Sequence, residues 1–521
     1  MSKKPSPKSK PAKKPKPAKK SKPAKKSKSA KAKPAGKGKP VAGGAAPPVG
    51  AAVAAGVMVV NMIPKSLSFE ENQDSEPMIA VNPSNPDHIA GSAFTPDPMG
   101  GNLAPYFVST DGGRTWALNT VVPGGGRTSD IAIAFSGTDD RFYAGTLRPD
   151  SPNDDTRMNI LRTDRFDDPA TLEVLDDRQQ PDQPFTQALT VASGPDKGKE
   201  RLYVGSNDFA ANPQSATLDI GLDVGSEAPT FKRVRIEHRT TAGQNGPQIR
   251  PALHPDGTVY AAFLGWRSQT GDFAAGTLQI TADVVVVRDD QGGTGAAPCE
   301  DLKDPADGQV GVRAARGVKF GFDRTGLAKN GQQRLGSTLA IAVDPRPGQS
   351  GTVYLAWGSD EPATGFTIHV RRSQNRGVAW SPADLLTVRR GTNAALAINS
   401  DGLVGLLYQQ LTGAGATQRW ETHFRTTTNG TVWSDLVLCT TLANHPVIKF
   451  NPYLGDYDHV VAVGKNFYGI FSASNLPDRA NFPNGVVYQR NANFTTMTLL
   501  NVDGVTTVKP SIDPFFFRVN G

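Results

Sequence analysis

The stretch LAIAVDPRPGQSGTVYLAWGS, residues Leu339–Ser359, contains two apolar runs on either side of a turn rich in proline and glycine. Apolar and β-branched runs on both sides of such a turn predict two antiparallel strands joined by a tight turn. The pattern occurs seven times in the chain. The other copies occupy Pro77–Phe94, Asp130–Leu147, Phe185–Asp208, Arg250–Trp266, Ala394–Leu411 and Asp458–Ser474.

The spacing of these copies predicts the architecture. They begin 53–65 residues apart, except for one interval near 90 that contains an insertion over 267–334. This spacing leaves room for two more strands in each unit, and no segment has a convincing helical period. We therefore expect an all-β fold, a β-propeller of four-stranded antiparallel blades, with seven blades and six as the alternative. A β-sandwich of this size would give no reason for the period.

One turn motif falls where the third strand of the first unit should lead into the fourth. In STDGGRTW, Asp111 can accept backbone hydrogen bonds, Gly113 can supply a positive φ, and Trp116 can fill the gap between sheets. SQNRGVAW (373–380) and TTTNGTVW (426–433) match this motif less well. Asn375 and Thr428 stand at the position that corresponds to Asp111. RDDQGGTG (288–295) keeps Asp290 and Gly292 but lacks the aromatic residue. The full set of residues expected to build these turns is Ser109, Asp111, Gly113, Trp116, Asn375, Gly377, Trp380, Gly430 and Trp433.

The spacing S-x-D-x-G-x-T-W resembles the Asp box of sialidase-like, BNR-repeat propellers. In a propeller these boxes connect the third strand to the fourth, on the face opposite the one where the innermost strands begin. Asp111 is therefore expected to be structural. A ligand site is expected on the other face, where the sequence places acids and arginines: Glu76, Asp130, Asp182, Arg250, Arg334 and Asp456 before first strands, and Asp97, Arg148, Asp150, Asp208, Arg267, Asp360 and Glu361 after second strands.

The resemblance implies specific roles for some of these residues. Sialidases clamp a substrate carboxylate with arginines, which suggests Arg148, Arg250 and Arg267 here, with Trp266 beside them. YLGDY (453–457) resembles a late segment of such propellers and would supply the nucleophile Tyr457. Asp456, Glu76 and Asp208 would assist as acid, base or activating groups.

Two functions remain open at this stage. Propellers with Asp boxes include non-catalytic glycan-binding proteins as well as glycosidases. The chain lacks the Arg-Ile-Pro motif that opens most sialidases, and its seven apparent units exceed their six blades. We expect either a glycan-recognising propeller or an exo-sialidase-like glycoside hydrolase acting on an acidic sugar.

The N-terminal segment has a different composition. Residues 1–40 contain 17 lysines and no acid, so a net charge of +8 leaves the remainder at 8 − 17 = −9. We expect a disordered polybasic tail over 1–47 that binds an anionic polymer, such as nucleic acid, anionic lipid or polysaccharide. A solubilising linker without a partner is the alternative.

The next segment, 48–74, is expected to be a linker that contains a candidate first strand over Val57–Met62. The propeller is expected to span 75–521. The apolar run Val49–Ile63 is too short and too rich in glycine and alanine to span a bilayer. Some forty basic, proline-rich residues precede it, whereas a secretion signal has only a short basic region before its apolar stretch. Asp-box propellers are often exported, which favours the cell envelope or exterior, whereas the tail favours an intracellular, nucleic-acid-associated role.

Cofactor motifs are weak. Cys299 and Cys439 could form one disulfide or remain buried thiols. No zinc spacing, serine-hydrolase elbow or phosphate-binding loop occurs. We expect no cofactor, with calcium at Asp301, Asp304 and Asp307 as the alternative.

Overall fold

The computed structural model describes residues 56–94, 105–120, 129–150, 155–168, 171–272, 277–321, 338–361, 365–446 and 454–521. The predicted tail, Asp97, Arg334, Tyr453 and the side chains of Asp150 and Glu361 lie outside this description. In the described ranges the regular structure consists of β-strands and three short 3₁₀ turns, Lys65–Leu67, Gly415–Thr417 and Arg479–Asn481. No helix there is long and apolar enough to cross a membrane.

Most strands belong to consecutive four-stranded antiparallel sheets. Sheet 1 contains β2 (Ser75–Val81), β3 (Ile89–Phe94), β4 (Pro105–Ser109) and β5 (Ala117–Thr120). Sheet 2 contains β6 (Ile131–Phe135), β7 (Phe142–Asp150), β8 (Asp155–Thr163) and β9 (Glu173–Gln179). Sheet 3 contains β10 (Pro181–Thr190), β11 (Glu200–Asp208), β12 (Ser215–Gly221) and β13 (Phe231–Arg235).

The next three sheets repeat this order. Sheet 4 contains β14 (Arg250–Leu253), β15 (Val259–Thr270), β16 (Gln279–Asp289) and β17 (Val312–Gly321). Sheet 5 contains β18 (Leu339–Val343), β19 (Val353–Glu361), β20 (Gly365–Ser373) and β21 (Leu386–Arg389). Sheet 6 contains β22 (Gly391–Ile398), β23 (Val404–Thr412), β24 (Arg419–Thr427) and β25 (Ser434–Leu442).

Sheet 7 joins the two ends of the described chain. Its order is β26 (His459–Val463), β27 (Asn466–Ser474), β32 (Ile512–Val519), β1 (Val57–Asn61) and β28 (Val487–Tyr488). The early strand β1 pairs antiparallel with β32, from Val57 opposite Val519 to Asn61 opposite Phe515. A small separate sheet contains β29 (Ala492–Asn493), β30 (Thr498–Leu500) and β31 (Thr507–Val508).

The first strands of sheets 1 to 7 contact one another in a closed cycle, β2, β6, β10, β14, β18, β22 and β26, with β26 returning to β2. Radial antiparallel sheets around such a cycle form a β-propeller, which confirms the predicted fold class. The number of blades stays a prediction. Two of these inner strands, β6 (IAIAF) and β18 (LAIAV), contain two alanines each, and these small side chains leave room where the sheets converge.

The order of the strands defines two faces. Ser75 pairs with Phe94, Asp182 with Asn207 and Thr392 with Gln409, so each first strand begins beside the end of the second. We call this side the entry face. Turns between third and fourth strands lie on the opposite face.

The turn between β4 and β5 lies on that opposite face. Asp111 Oδ1 accepts hydrogen bonds from Ser109 Oγ and Thr115 N, both at 2.9 Å. Trp116 Nε1 donates to Gly113 O at 3.0 Å. Gly113 has φ 86°, and a Cβ there would lie 2.1 Å from the Phe516 ring. The Asp111 carboxylate is thus engaged within its own turn.

Two of the degenerate copies, TTTNGTVW and RDDQGGTG, need a corrected alignment. In the turn after β24, Asn429 takes the acid's place instead of Thr428, because its Oδ1 accepts from Thr431 N at 2.8 Å and Val432 N at 3.0 Å. In the turn after β16, Asp289 instead of Asp290 accepts from the backbone N–H groups of Gln291 and Gly293. The turn after β24 is one residue shorter than the Asp box, from Thr427 to Trp433 compared with Ser109 to Trp116. An alignment with fixed spacing therefore selects the wrong residue.

Candidate functional site

Three polar residues at the entry face occupy the same kind of backbone position. Glu76, Gln183 and Asn393 have φ of 54°, 50° and 57°. Each lies in a register shift near the start of an inner strand, in sheets 1, 3 and 6 respectively. A positive φ is unfavourable for residues other than glycine, and such positions persist when surrounding contacts hold them.

Those contacts converge on one short segment before β26. Glu76 Oε1 accepts from Asp456 N at 3.1 Å, Gln183 Nε2 donates to Asp456 Oδ2 at 3.4 Å, and Asn393 Nδ2 donates to Gly455 O at 3.2 Å. Gly455 has φ 87°, and a Cβ there would lie 2.5 Å from the Glu76 backbone nitrogen. The glycine of the predicted YLGDY segment is therefore required by close approach of sheet 1.

The next residue, Tyr457, faces sheet 2. Its hydroxyl donates to Asp130 Oδ1 at 2.9 Å, and the residue is 2% exposed. Burial, together with the nearby carboxylates of Asp130 and Glu76, raises the pKa of Tyr457 well above its usual value. The predicted nucleophile is thus a buried, protonated phenol.

Arg250, at the start of β14, is a buried cation beside the inner strands. Its guanidinium carbon lies 4.2 Å from the centre of the Phe185 ring and 5.6 Å from that of Tyr457. Burial lowers its pKa to about 9. Within the described part of the chain it forms no ion pair, and its buried Nε has no acceptor.

A cavity of about 230 Å³ lies along the inner strands next to Arg250. Its lining is mainly alanine, valine, leucine and isoleucine from sheets 4 to 7, and Arg250 is the only arginine, lysine or carboxylate among the lining residues described. Gln187 and His459 add polar groups. A mostly apolar cavity with a few convergent polar groups is the usual form of a small-molecule site.

His459 is neutral in this cavity. Its Nδ1 accepts from Ile79 N at 3.2 Å, and its ring packs edge-on against Phe185 with centroids 5.3 Å apart. Burial and the nearby Arg250 charge lower its pKa to about 3. Because Nδ1 accepts, the hydrogen of the neutral ring is inferred to be on Nε2, which makes Nε2 a donor.

The other predicted site residues have separate partners. Arg148 Nε donates to Asn159 at 2.6 Å, and Asp208 pairs with Arg178 at 2.9 Å. Arg267 pairs with Glu237 and Asp283, both at 2.8 Å. Trp266, 4% exposed, packs near Phe320. The described contacts therefore unite Glu76, Asp456, Tyr457 and Arg250 through shared neighbours, and give Arg148, Arg267 and Asp208 other surroundings.

The residues proposed for calcium have cationic neighbours. Arg313 Nε donates to Asp304 at 2.8 Å, and Arg239 pairs with Asp307 at 3.0 Å. Asp301 accepts from Asp290 N at 2.7 Å. The two cysteines are separate buried thiols, and burial raises the pKa of each.

Sequence reasoning missed Gln183, Asn393, Phe185 and His459. It noted Asp130 on the predicted rim without giving it a role. A polar residue that precedes an apolar inner strand is a weak signal of such positions, since many solvated loops share it.

Comparison with known proteins places the chain by shape alone. No protein-family model and no curated protein matches it. An α-L-arabinofuranosidase from Fusarium graminearum in complex with an iminosugar inhibitor has a TM-score of 0.40 and 12% identity, covering 70% of this chain and 97% of that one. An α-L-arabinanase from Penicillium chrysogenum complexed with arabinobiose has a TM-score of 0.38 and 12% identity, covering 68% and 93%. The peptide-bound protein YCF48 has a TM-score of 0.37 and 11% identity, covering 81% and 96%. At these identities the likeness concerns the fold alone.

Proposed function

We propose that the protein is a sialidase-like propeller that binds a carboxylated sugar, with Arg250 receiving the carboxylate. The observation that carries this proposal is a buried guanidinium that no carboxylate of the described chain neutralises. The Asp-box-like turns support a carbohydrate as the bearer of the charge.

The energetics favour an anionic ligand at this position. An unpaired buried charge destabilises a fold by several kcal/mol in typical cases, and aromatic rings at the distances given above offset only about 0.5–2 kcal/mol of this. A carboxylate could accept two parallel hydrogen bonds from the guanidinium fork. The neutral His459 would offer a further donor to the sugar through Nε2.

The volume of the cavity limits the size of the ligand. Its volume of about 230 Å³ is below the roughly 300–1,000 Å³ common for drug-sized ligands. We therefore expect one terminal sugar residue to enter, such as a uronic acid or a sialic acid, and the rest of the glycan to stay outside.

The buried state of Tyr457 supports binding over hydrolysis. A tyrosine nucleophile must lose its proton and reach the anomeric carbon of the sugar. Here the hydroxyl donates to Asp130, its pKa is raised, and its side chain is enclosed. The hydrolase alternative would require another nucleophile, or a water activated by Glu76, Asp130 or Asp456.

Calorimetry with the full chain tests the proposal. We expect glucuronate or N-acetylneuraminate to bind, and glucose and galactose not to bind detectably. Arg250→Gln should weaken acidic-sugar binding at least about tenfold, since a charge-assisted pair contributes about 1.5–3 kcal/mol. Arg518→Gln is the matched control, because Arg518 also stacks on a ring, that of Tyr468 at 5.4 Å, without lining the cavity.

Three outcomes overturn parts of this account. Equal binding by the wild type and Arg250→Gln removes Arg250 as the anchor. Binding of neutral sugars alone removes the acidic ligand. Turnover of fluorogenic sialosides or glucuronides, lost in Asp130→Asn or Asp456→Asn, replaces the binding protein with a hydrolase.

The lysine-rich segment is proposed to tether the protein to an anionic polymer. We propose that residues 1–40 bind an anionic polymer by counterion release, as their 17 lysines favour. Binding to heparin, duplex DNA or anionic vesicles should then fall steeply with salt and be lost on deletion of residues 1–40. Unchanged polyanion binding after this deletion would contradict the tether without affecting the claim about Arg250.

A further inference from the structure

A second arrangement of side chains lies in sheet 5, outside the Arg250 cavity. Ser359 Oγ lies 2.9 Å from His369 Nε2, and His369 Nδ1 lies 2.8 Å from Asp384 Oδ2. Ser359 lies near the C-terminal end of β19, His369 lies on β20, and Asp384 precedes β21. A hydroxyl, an imidazole and a carboxylate bonded in this order form the geometry of an activated serine nucleophile.

The sheet register explains why these residues meet. Trp357 is the cross-strand partner of His369, and Ser359 is that of Thr367. Residues two apart on a strand share a face, so Ser359 and His369 are diagonal neighbours on one face of sheet 5. Their order in the chain, Ser, His and Asp, follows from three successive strand positions, and no sequence motif announces it.

We propose that Ser359, His369 and Asp384 form a second functional site that hydrolyses small carboxylic esters. This activity is separate from the proposed sugar binding, since the two cavities share no lining residue. Ser359 is the nucleophile, His369 the general base and acid, and Asp384 the positioning residue that orients the imidazole.

A cleft provides the room that this reaction needs. The three residues line a cavity of about 410 Å³ between β17 of sheet 4 and the outer part of sheet 5. Arg316 and Lys319 of β17 line the same cleft. Their positive charges would attract an anionic group on the ester and would stabilise the oxyanion that forms at the acyl carbon.

Neighbouring groups hold the imidazole and the carboxylate in place. The His369 ring stacks on Trp357 with centroids 5.3 Å apart and an interplanar angle of 16°. Arg371 Nε donates to the second oxygen of Asp384 at 2.8 Å. Burial opposes ionisation of Asp384, but the hydrogen bonds from His369 and Arg371 hold its pKa below the usual value.

Sheet 6 contains the same support without the serine. His423 stacks on Tyr408 at 5.0 Å, and its Nδ1 lies 3.0 Å from Asp435, which also pairs with Arg425 at 3.0 Å. The position two residues after Tyr408 on β23, which corresponds to Ser359, is occupied by Gln410. The chain thus contains an internal control that has the histidine and the acid but no nucleophile.

The reaction balances with water as the only co-reactant. Ser359 Oγ bonds to the acyl carbon while its proton moves to His369 Nε2. The bond between acyl carbon and alkoxy oxygen breaks, and the imidazolium gives its proton to the departing alcohol. Water, deprotonated by the same imidazole, then attacks the acyl-serine, which releases the carboxylic acid and restores Ser359.

A fluorophosphonate probe tests the nucleophile directly in the full chain. Attack forms a bond between Ser359 Oγ and phosphorus, breaks the phosphorus–fluorine bond and leaves a stable adduct that peptide mass spectrometry locates. We expect one adduct at Ser359, none in Ser359→Ala, and labelling at least about 100-fold slower in His369→Asn, since a general base contributes about 10²–10⁴-fold. His423→Asn, the sheet 6 control, should label like the wild type.

Hydrolysis of p-nitrophenyl acetate tests the role of Asp384. We expect Asp384→Asn to lower kcat with KM unchanged, because the acid orients the base without touching the ester. Absence of an adduct at Ser359 in the folded wild type, or equal labelling of His369→Asn, overturns the proposal. Neither outcome bears on Arg250 or on sugar binding.

Discussion

The guanidinium carbon of Arg250 lies 4.2 Å above the Phe185 ring, and the described part of the chain supplies no carboxylate to it. The other buried arginines among the described residues form ion pairs with acids. Arg490 lies 2.9 Å from Asp513, and Arg178 lies 2.9 Å from Asp208. Arg250 therefore differs from its buried counterparts in the one respect that an anionic ligand would supply.

Removing the charge of Arg250 should stabilise the free protein. Methionine keeps an apolar stem of similar length against Phe185 and removes the cost of an unpaired buried cation. We expect Arg250→Met to raise the free energy of unfolding by on the order of 1 kcal/mol, after loss of the cation–π contacts. Denaturant unfolding measures this.

Arg490→Met is the matched comparison. Arg490 pairs with Asp513 and also donates to the carbonyl oxygens of Ser68 and Glu70. Its removal leaves buried acids uncompensated and should cost about 3–5 kcal/mol. Destabilisation of both variants to the same extent would contradict the claim that Arg250 is unpaired.

His459 should make the protein sensitive to acid. Its folded pKa of about 3 is below its ordinary value of 6.5, so the unfolded chain binds a proton that the folded chain does not. The stability from the neutral ring is complete above pH 6.5 and is lost as pH falls toward 3, at up to about 1.4 kcal/mol per pH unit.

His459→Asn keeps an acceptor for Ile79 N and cannot be protonated. We expect its free energy of unfolding, relative to wild type, to increase as pH falls from 6.5 to 4. His238→Asn, which replaces an exposed histidine, is the control. Parallel loss of stability in wild type and His459→Asn would show that this histidine is not buried neutral.

A side chain at position 455 should lower the free energy of unfolding. A Cβ there would lie 2.5 Å from Glu76 N, at φ 87°. We expect Gly455→Ala to cost about 1–3 kcal/mol and to weaken acidic-sugar binding, since Tyr457 is two residues away. Gly464→Ala has φ 58° with open space around it, and should cost about 1 kcal/mol or less without changing binding. Equal costs would contradict the close packing at Gly455.

Tyr457→Phe separates binding from catalysis. The variant loses the 2.9 Å bond to Asp130, which should cost about 1–3 kcal/mol of stability. The ring next to Arg250 remains, so affinity for an acidic sugar should change less than threefold. An affinity loss comparable to that of Arg250→Gln would place the tyrosine hydroxyl in the ligand contact.

The repeated strand pairs were predictable because alternation and turn chemistry are local. Each copy from Pro77–Phe94 to Asp458–Ser474 contributes the first two strands of a sheet. The partners of β1 were not predictable, because its pairing with β32 joins residues more than four hundred positions apart. Nothing local to VMVVN specifies a strand that close to the C-terminus of the chain.

Part of the site was also predictable. Glu76 and Arg250 lie at the starts of inner strands and Asp456 lies just before one, and a propeller brings such positions toward one axis. Gln183 and Asn393 were missed because they are uncharged, whereas the sequence-based selection rested on acids and arginines, and because a bulge leaves no fixed sequence signal. The Ser359 arrangement was missed for a related reason: its members meet through diagonal pairing across strands instead of through a motif.

A crystal structure with glucuronate or N-acetylneuraminate tests whether Arg250 receives the carboxylate. We expect carboxylate oxygens about 2.7–2.9 Å from the Arg250 guanidinium nitrogens, in the cavity beside Phe185 and His459. A sugar bound with its carboxylate elsewhere, and Arg250 still without an anion, would contradict it.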